Sequence, residues 1–155
     1  MSAIRPARPD EAALLSALAL RSKAVWGYDA AFLARCRAEL TVTAEDIRDR
    51  PAAVSCDGEH VLGFYLLTLK DGSAEIDFLY VAPEALGRGI GRALLHHLHG
   101  EAAKRGAERL EVTADPHAEG FYARHGFARS GERPSGSIRG RMLPHLELHL
   151  GGGAS

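Results

Sequence analysis

The stretch Glu75-Ile-Asp-Phe-Leu-Tyr-Val-Ala-Pro-Glu-Ala-Leu-Gly-Arg-Gly-Ile-Gly-Arg-Ala-Leu-Leu95 decides how the chain is read. Its first seven residues are rich in β-branched and aromatic side chains and predict a strand that Pro83 stops. Simple alternation puts Ile76, Phe78 and Tyr80 on one face, and Glu75, Asp77, Leu79 and Val81 on the other. Gly87, Gly89 and Gly91 then open a segment in which Ile90, Leu94, Leu98 and Ala102 recur every four residues, the spacing of one helix face. A strand running through glycines into a helix N-terminus presents free N–H groups and a positive dipole end, which together favour an anion. Glycines allow a close backbone approach, and Arg88 and Arg92 add positive charge.

Two common nucleotide loops do not fit. A dinucleotide fingerprint needs a third glycine where Arg92 stands, and a P-loop needs a Lys-Ser or Lys-Thr pair after its glycines. Working outward, Ala3 to Arg8 predicts a short strand with Ile4 inward. Helices follow from about Pro9 to Lys23 and from Ala30 to Leu40, parted by Trp26-Gly-Tyr-Asp29. Thr43 caps a brief helical turn that ends at Arg50-Pro51. Ala52 to Cys56 and His60 to Leu69, joined at Asp57-Gly58, form a hairpin, and Asp71-Gly72 leads into the Glu75 strand. Arg109 to Thr113 is a strand reached by a right-handed crossover, hence parallel to the Glu75 strand. Asp115 starts a helix ending at Gly126; Phe127 to Arg133 and Arg141 to Leu150 complete the strands.

The 155 residues suit one domain spanning 1–150, with 151–155 a disordered tail, and a 46% hydrophobic content suffices for a core. A net charge of −1 gives no electrostatic case for nucleic acid, and no stretch reads as a membrane span or signal segment. Cys36 and Cys56 do not make a disulfide framework, which suits a cytoplasmic protein. His96 and His99 could hold a metal by spacing, but no carboxylate or thiol matches them on that helix; a solvated helix face is the reading, with no metal.

Leu86-Gly-Arg-Gly-Ile-Gly91 resembles the pyrophosphate loop of the GNAT superfamily of N-acetyltransferases, Gln/Arg-x-x-Gly-x-Gly/Ala, with Leu86 in the Gln/Arg position. Asp115-x-x-Ala118-x-x-Phe121-Tyr122-x-x-x-Gly126-Phe127 resembles the family's second signature, with Asp115 where Asn is usual. The resemblance implies an α+β fold: a mixed, mostly antiparallel sheet of about six or seven strands splayed into a V, flanked by about four helices. It also implies acetyl-CoA as acyl donor. The pantetheine would pair with the backbone of Leu79 and Val81, and the pyrophosphate would sit on Gly87, Gly89, Gly91 and Arg92. Leu86, Arg88, Asp115, Phe121 and Tyr122 would complete the cofactor site.

The reaction implied is transfer of acetyl to a primary amine of a small molecule or protein, by direct attack in a ternary complex. A lysine-like amine must lose a proton at a cost of ~4–5 kcal/mol at pH 7, so a base is useful. Glu75 matches the strand glutamate that serves as base in some members and is favoured, directly or through a water; Asp77 and a water alone remain alternatives. Tyr122 matches the tyrosine that protonates the departing thiolate, and the Val81 N–H is the candidate for polarising the carbonyl. Trp26, Tyr28, Asp29 and Glu39 on one side, or Arg139 and Arg141 on the other, are candidates for holding the acceptor. A homodimer is compatible with the reading. The competing readings are a GNAT-like acyl-CoA sensor or structural module without turnover, and a nucleotide-binding regulatory domain.

Overall fold

A computed structural model describes residues 2–150; the tail expected at 151–155 lies outside the described residues. The elements in chain order are β1 (Ala3–Pro6), α1 (Ala12–Ala24), α2 (Ala30–Cys36), α3 (Ala44–Asp49), β2 (Ala52–Asp57), β3 (His60–Lys70), β4 (Ser73–Val81), α4 (Ile90–Lys104), β5 (Arg109–Thr113), α5 (Glu119–Arg124), β6 (Ala128–Pro134) and β7 (Met142–His149). The seven strands form one sheet in the order β1-β2-β3-β4-β5-β7-β6. Among the described residues only β4 and β5 pair in parallel. Five α-helices flank the sheet, one more than expected, because the capped turn at Thr43 forms a full short helix. Helix α2 stops at Cys36, and the chain turns through Leu40 rather than continuing the helix.

The sheet has a core on each face. Helices α4 and α5 cover one, where Ile76, Leu94, Leu98, Leu110, Val112 and Leu146 are buried. Helices α1 to α3 cover the other, with Leu15, Leu18, Val54, Phe64, Leu66 and Phe78. The four-residue repeat of α4 is buried at Ile90, Leu94, Leu98 and Ala102, so the apolar stripe fixes how this helix lies on the sheet. Among the described residues no helix is long and apolar enough to cross a membrane.

Alternation along β4 is broken, and this corrects the simple face assignment. Leu66 pairs with Phe78 and Leu67 with Ile76, so Asp77 is an extra residue with no partner on β3, a β-bulge. After the bulge the faces swap. Ile76 belongs to the α4-side core while Phe78 belongs to the α1-side core. Leu79 and Val81 then pack on the α4 side, and Tyr80 on the α1 side. Asp77 therefore does not share a face with Leu79 and Val81; its carboxylate bonds Thr68 and Arg50, with Arg50 Nη1 at 2.6 Å. Pairing of β4 with β5 ends at the same place, Ile76 opposite Val112. Beyond that point the two strands part.

Gly63 on β3 lies directly under α4. A Cβ there would come within 2.8 Å of the Tyr80 carbonyl and 3.0 Å of Leu94 Cδ1. Because the nearer atom is backbone, a side chain at this position must lift α4 or move β4. Gly63→Ala is expected to lower stability by about 1–3 kcal/mol, read as a lower midpoint in urea unfolding.

Candidate active site

The parting of β4 and β5 opens a cleft of about 590 Å³. It takes in residues from both faces of β4: Leu79 and Val81 from the α4 side, Asp77 and Tyr80 from the α1 side. The Ala82 N–H donates to the Leu62 carbonyl at 2.8 Å. Two-residue alternation then turns the N–H and C=O groups of Leu79 and Val81 away from β3, toward the gap. An extended ligand could add there as a strand.

At one end of the cleft the glycine loop meets α4. Gly87 and Gly89 have φ of +80° and +77°, a conformation side chains rarely adopt, and nothing lies within 4 Å of either missing Cβ. These two glycines serve backbone geometry and leave open space above the loop. Gly89 is the N-cap of α4 and offers no side chain, so the N–H groups of Ile90, Gly91 and Arg92 have no acceptor inside the helix. A Cβ added to Gly91 would lie 3.5 Å from the Phe121 ring and from Val81, ordinary van der Waals contact. Arg92 and Leu86 line the cleft, whereas Arg88 stands exposed outside the lining.

Tyr122, on α5, is buried with its ring edge-on to Phe121 and Phe127, at 5.2 Å from each. Burial pushes its pKa upward, so the phenol stays protonated. No described residue bonds its hydroxyl, and no sealed side-chain polar atom lacks a partner; the hydroxyl therefore opens into the cleft that it lines.

The two carboxylates of β4 are in different situations. Glu75 lies outside the cleft lining and pairs with Lys70 Nζ at 2.6 Å. Asp77 lines the cleft. Burial raises its pKa above the usual aspartate range, the nearby charge of Glu75 adds to this, and bonds from Thr68 and Arg50 oppose it. Both of those bonds reach Oδ2, leaving Oδ1 for a proton.

Asp115 joins four segments. Its carboxylate accepts from Lys23 Nζ at 2.8 Å, from the Tyr28 hydroxyl at 2.9 Å and from the His117 N–H at 2.9 Å, with Arg141 Nη2 at 3.6 Å. Burial pushes the Asp115 pKa upward, but the bonds from Lys23 and His117 outweigh it and hold the carboxyl well below the usual range. Arg141 also donates to the Tyr28 hydroxyl at 2.6 Å and lies over the Tyr28 and Phe32 rings. Trp26 lines the cleft and stacks on His117 with centroids 5.0 Å apart. Of the other acceptor-side candidates, Asp29 caps α2 through the Phe32 N–H at 2.8 Å, and Glu39 and Arg139 are exposed. The sequence reading missed Lys23, Arg50, Thr68, Tyr80 and His117. Lys23 carried the one usable signal: it stands four and eight residues after Ala19 and Leu15, on the face that α1 buries.

Outside the cleft, Glu111, His145 and Glu147 bring ligand-type atoms within 4.8 Å of one another. His145 Nε2 meets Glu111 at 3.0 Å and its Nδ1 meets Thr113 at 2.9 Å, while Arg109 lies 3.4 Å from Glu111. Hydrogen bonds and the Arg109–Glu111 ion pair hold the group together.

The chain matches a family model described as "Acetyltransferase (GNAT) domain" over residues 31–137. It is similar in structure to PaiA N-acetyltransferase from Thermoplasma acidophilum, solved with coenzyme A, at 20% identity and a TM-score of 0.78, covering 96% of this chain and 99% of that one. A GCN5-related N-acetyltransferase from Rhodopseudomonas palustris aligns at 23% identity with a TM-score of 0.77, covering 96% of each. The ribosomal-protein-S18-alanine N-acetyltransferase of Escherichia coli aligns at 18% with a TM-score of 0.72, covering 97% and 94%.

Removing the Asp115 carboxylate leaves Lys23 facing the site without its counter-ion. Asp115→Ala is expected to cost about 2–4 kcal/mol at pH 7. A carboxyl with a depressed native pKa stabilises fully above its unfolded value of ~3.9 and loses that contribution as pH falls through the native one. The stability gap between wild type and variant, measured by urea unfolding, should therefore be flat from pH 5 to 8 and shrink below about pH 4.

Proposed function

The chain belongs to the GNAT acetyltransferase family, and from that premise we propose that it transfers an acetyl group from acetyl-CoA to a primary amine in a ternary complex. The observation that carries this reading is the split of β4 from β5. It joins a glycine-rich helix start, an open strand edge, a buried tyrosine and a carboxylate of raised pKa in one cleft. In this reading the pyrophosphate lies on the N–H groups of the Gly87–Arg92 loop, where a helix start contributes ~0.3–2 kcal/mol, and the pantetheine pairs with Leu79 and Val81. Leu86 offers only apolar contact there. Asp115, its carboxylate committed to Lys23 and Tyr28, shapes the acceptor side rather than holding the cofactor.

Asp77 is the base we favour over Glu75, because it faces the cleft and Glu75 is paired with Lys70. A raised pKa brings a carboxylate closer to the amine whose proton it takes, directly or through a water. Attack on the thioester carbon gives a tetrahedral oxyanion that the Val81 N–H stabilises. Collapse expels the thiolate, which takes the Tyr122 proton, and the phenolate is reprotonated through solvent as Asp77 gives up the proton it took from the amine. Side chains and backbone supply every step, with no metal required. The acceptor is a small molecule or protein amine, in the cytoplasm; neither nucleic acid nor a membrane takes part, and a homodimer is compatible with the site.

Acetyl-CoA, but not ATP or NAD, is expected to raise the melting temperature, and thiol release should depend on an amine from a panel. Binding without release for any amine would instead support the sensor reading. Asp77→Asn should lower kcat by roughly 10²–10⁴ and remove the acid limb of the pH profile; Glu75→Gln should leave that limb in place. Tyr122→Phe should lower kcat more than it raises the KM for acetyl-CoA. An Asp77→Asn enzyme with wild-type kcat would return the role to Glu75 or water.

A further inference from the structure

The chain has four tyrosines, and their hydroxyls divide by partner. Tyr65 is fully buried on the α4 side and bonds His97 Nδ1 at 2.7 Å, away from the cleft. Tyr28 is committed to Asp115 and Arg141. Tyr80 and Tyr122 have no hydroxyl partner among the described residues, yet no sealed polar atom is unsatisfied. Both line the cleft. They enter it from opposite faces of the sheet, since Tyr122 belongs to the α4-side core and Tyr80 packs on the α1-side core.

We propose that the Tyr80 hydroxyl is a binding contact for the acceptor amine, the counterpart on the α1 side of Tyr122 on the donor side. The inference rests on the acetyltransferase reading and names a residue which that reading does not use. The Tyr80 ring packs near Phe64 and Phe78, with centroids 6.2 and 6.1 Å away. Phenylalanine would satisfy that packing equally. The hydroxyl is not needed for that packing and opens into the cleft without a protein partner, so it is free to bond a ligand that enters there.

The charges around Tyr80 fit an amine. Asp115 and Glu39 both act on its hydroxyl. Asp115 is matched by Lys23 and Arg141, while Glu39 forms no ion pair or hydrogen bond among the described residues. With two carboxylates and two cations the surroundings carry no net charge, which suits a neutral amine that donates an N–H to the phenol oxygen. The phenol oxygen accepts one N–H of the amine and leaves the nitrogen lone pair for the thioester carbon. Asp77, on the same α1 side and three residues before, takes the proton. Tyr80 itself moves no proton and keeps its own throughout.

The test compares Tyr80→Phe with Tyr65→Phe. Tyr80→Phe is expected to raise the acceptor KM about 3- to 10-fold, with acetyl-CoA affinity unchanged and the melting temperature equal or higher. Tyr65→Phe should lower the melting temperature and leave the acceptor KM alone. A wild-type acceptor KM in Tyr80→Phe would overturn the proposal, as would a loss of stability and acetyl-CoA binding together, the mark of a packing residue. A second measurement does not need turnover. Protein labelled with 13C at the tyrosine ζ carbon, saturated with coenzyme A, is titrated with the amine panel, and the Tyr80 resonance is identified by its absence in Tyr80→Phe. A shift on adding amine supports the contact even if no acetyl transfer occurs, which would be a failure of the acetyltransferase reading alone. No shift with any amine overturns the contact.

Discussion

The structure depends on two strands that begin as neighbours and then separate. β4 and β5 pair from Ser73–Arg109 to Ile76–Val112 and no further. A continuous parallel pair would satisfy its own backbone and offer nothing to a ligand. Here the Asp77 bulge gives β4 one residue more than β3 across the same span, and a bulge bends and twists its strand locally. The bend and the end of pairing coincide, which is the physical reason the cleft starts where it does. The open backbone edge of Leu79 and Val81 follows from it, as does the placing of a carboxylate at the inner end of the gap.

Such a gap has to be held at a fixed width. The helices alone do not do this, because α4 packs on β3 and β4 while α1 lies on the other face. Asp115 supplies a tie. It stands just beyond β5 and holds Lys23 from the end of α1, Tyr28 from the α1–α2 loop and Arg141 from the segment before β7. Asparagine at this position could accept the same N–H bonds but would not balance Lys23 and Arg141. The departure from the family pattern is therefore matched by cations elsewhere in the chain. In the proposed function this gives the residue a place in the acceptor half of the cleft rather than the donor half.

What the sequence made legible was local. The four-residue stripe of α4, the two hairpin turns and the glycine loop each depend on residues within one turn or one strand of each other, and they appear where spacing puts them. The bulge was not legible. Period-two alternation assumes an unbroken ladder, and nothing in Glu75-Ile-Asp-Phe marks Asp77 as the inserted residue. That one residue reverses which side chains share a face; Glu75 is favoured in the sequence by the family resemblance alone, which does not show its pairing with Lys70. The Asp115 network was equally hidden: Lys23 lies 92 residues away in sequence and Tyr28 lies 87 away. Closure over such distances is a property of the fold, not of spacing.

The bulge also explains how one strand can serve two substrates. In a regular strand the side chains flanking the gap would alternate without interruption, and Asp77, Leu79 and Val81 would crowd one face. The reversal sends Leu79 and Val81 to the α4 side, beside the glycine loop, and leaves Asp77 and Tyr80 on the α1 side, beside Trp26 and Asp115. Donor and acceptor can then approach the split from opposite faces and meet within it. In the proposed reaction a base on the donor side would have to reach past the thioester to find the amine, whereas Asp77 would lie on the amine's own side. In that reaction the shift of one residue would separate binding of the acyl donor from activation of the nucleophile, on a strand only nine residues long.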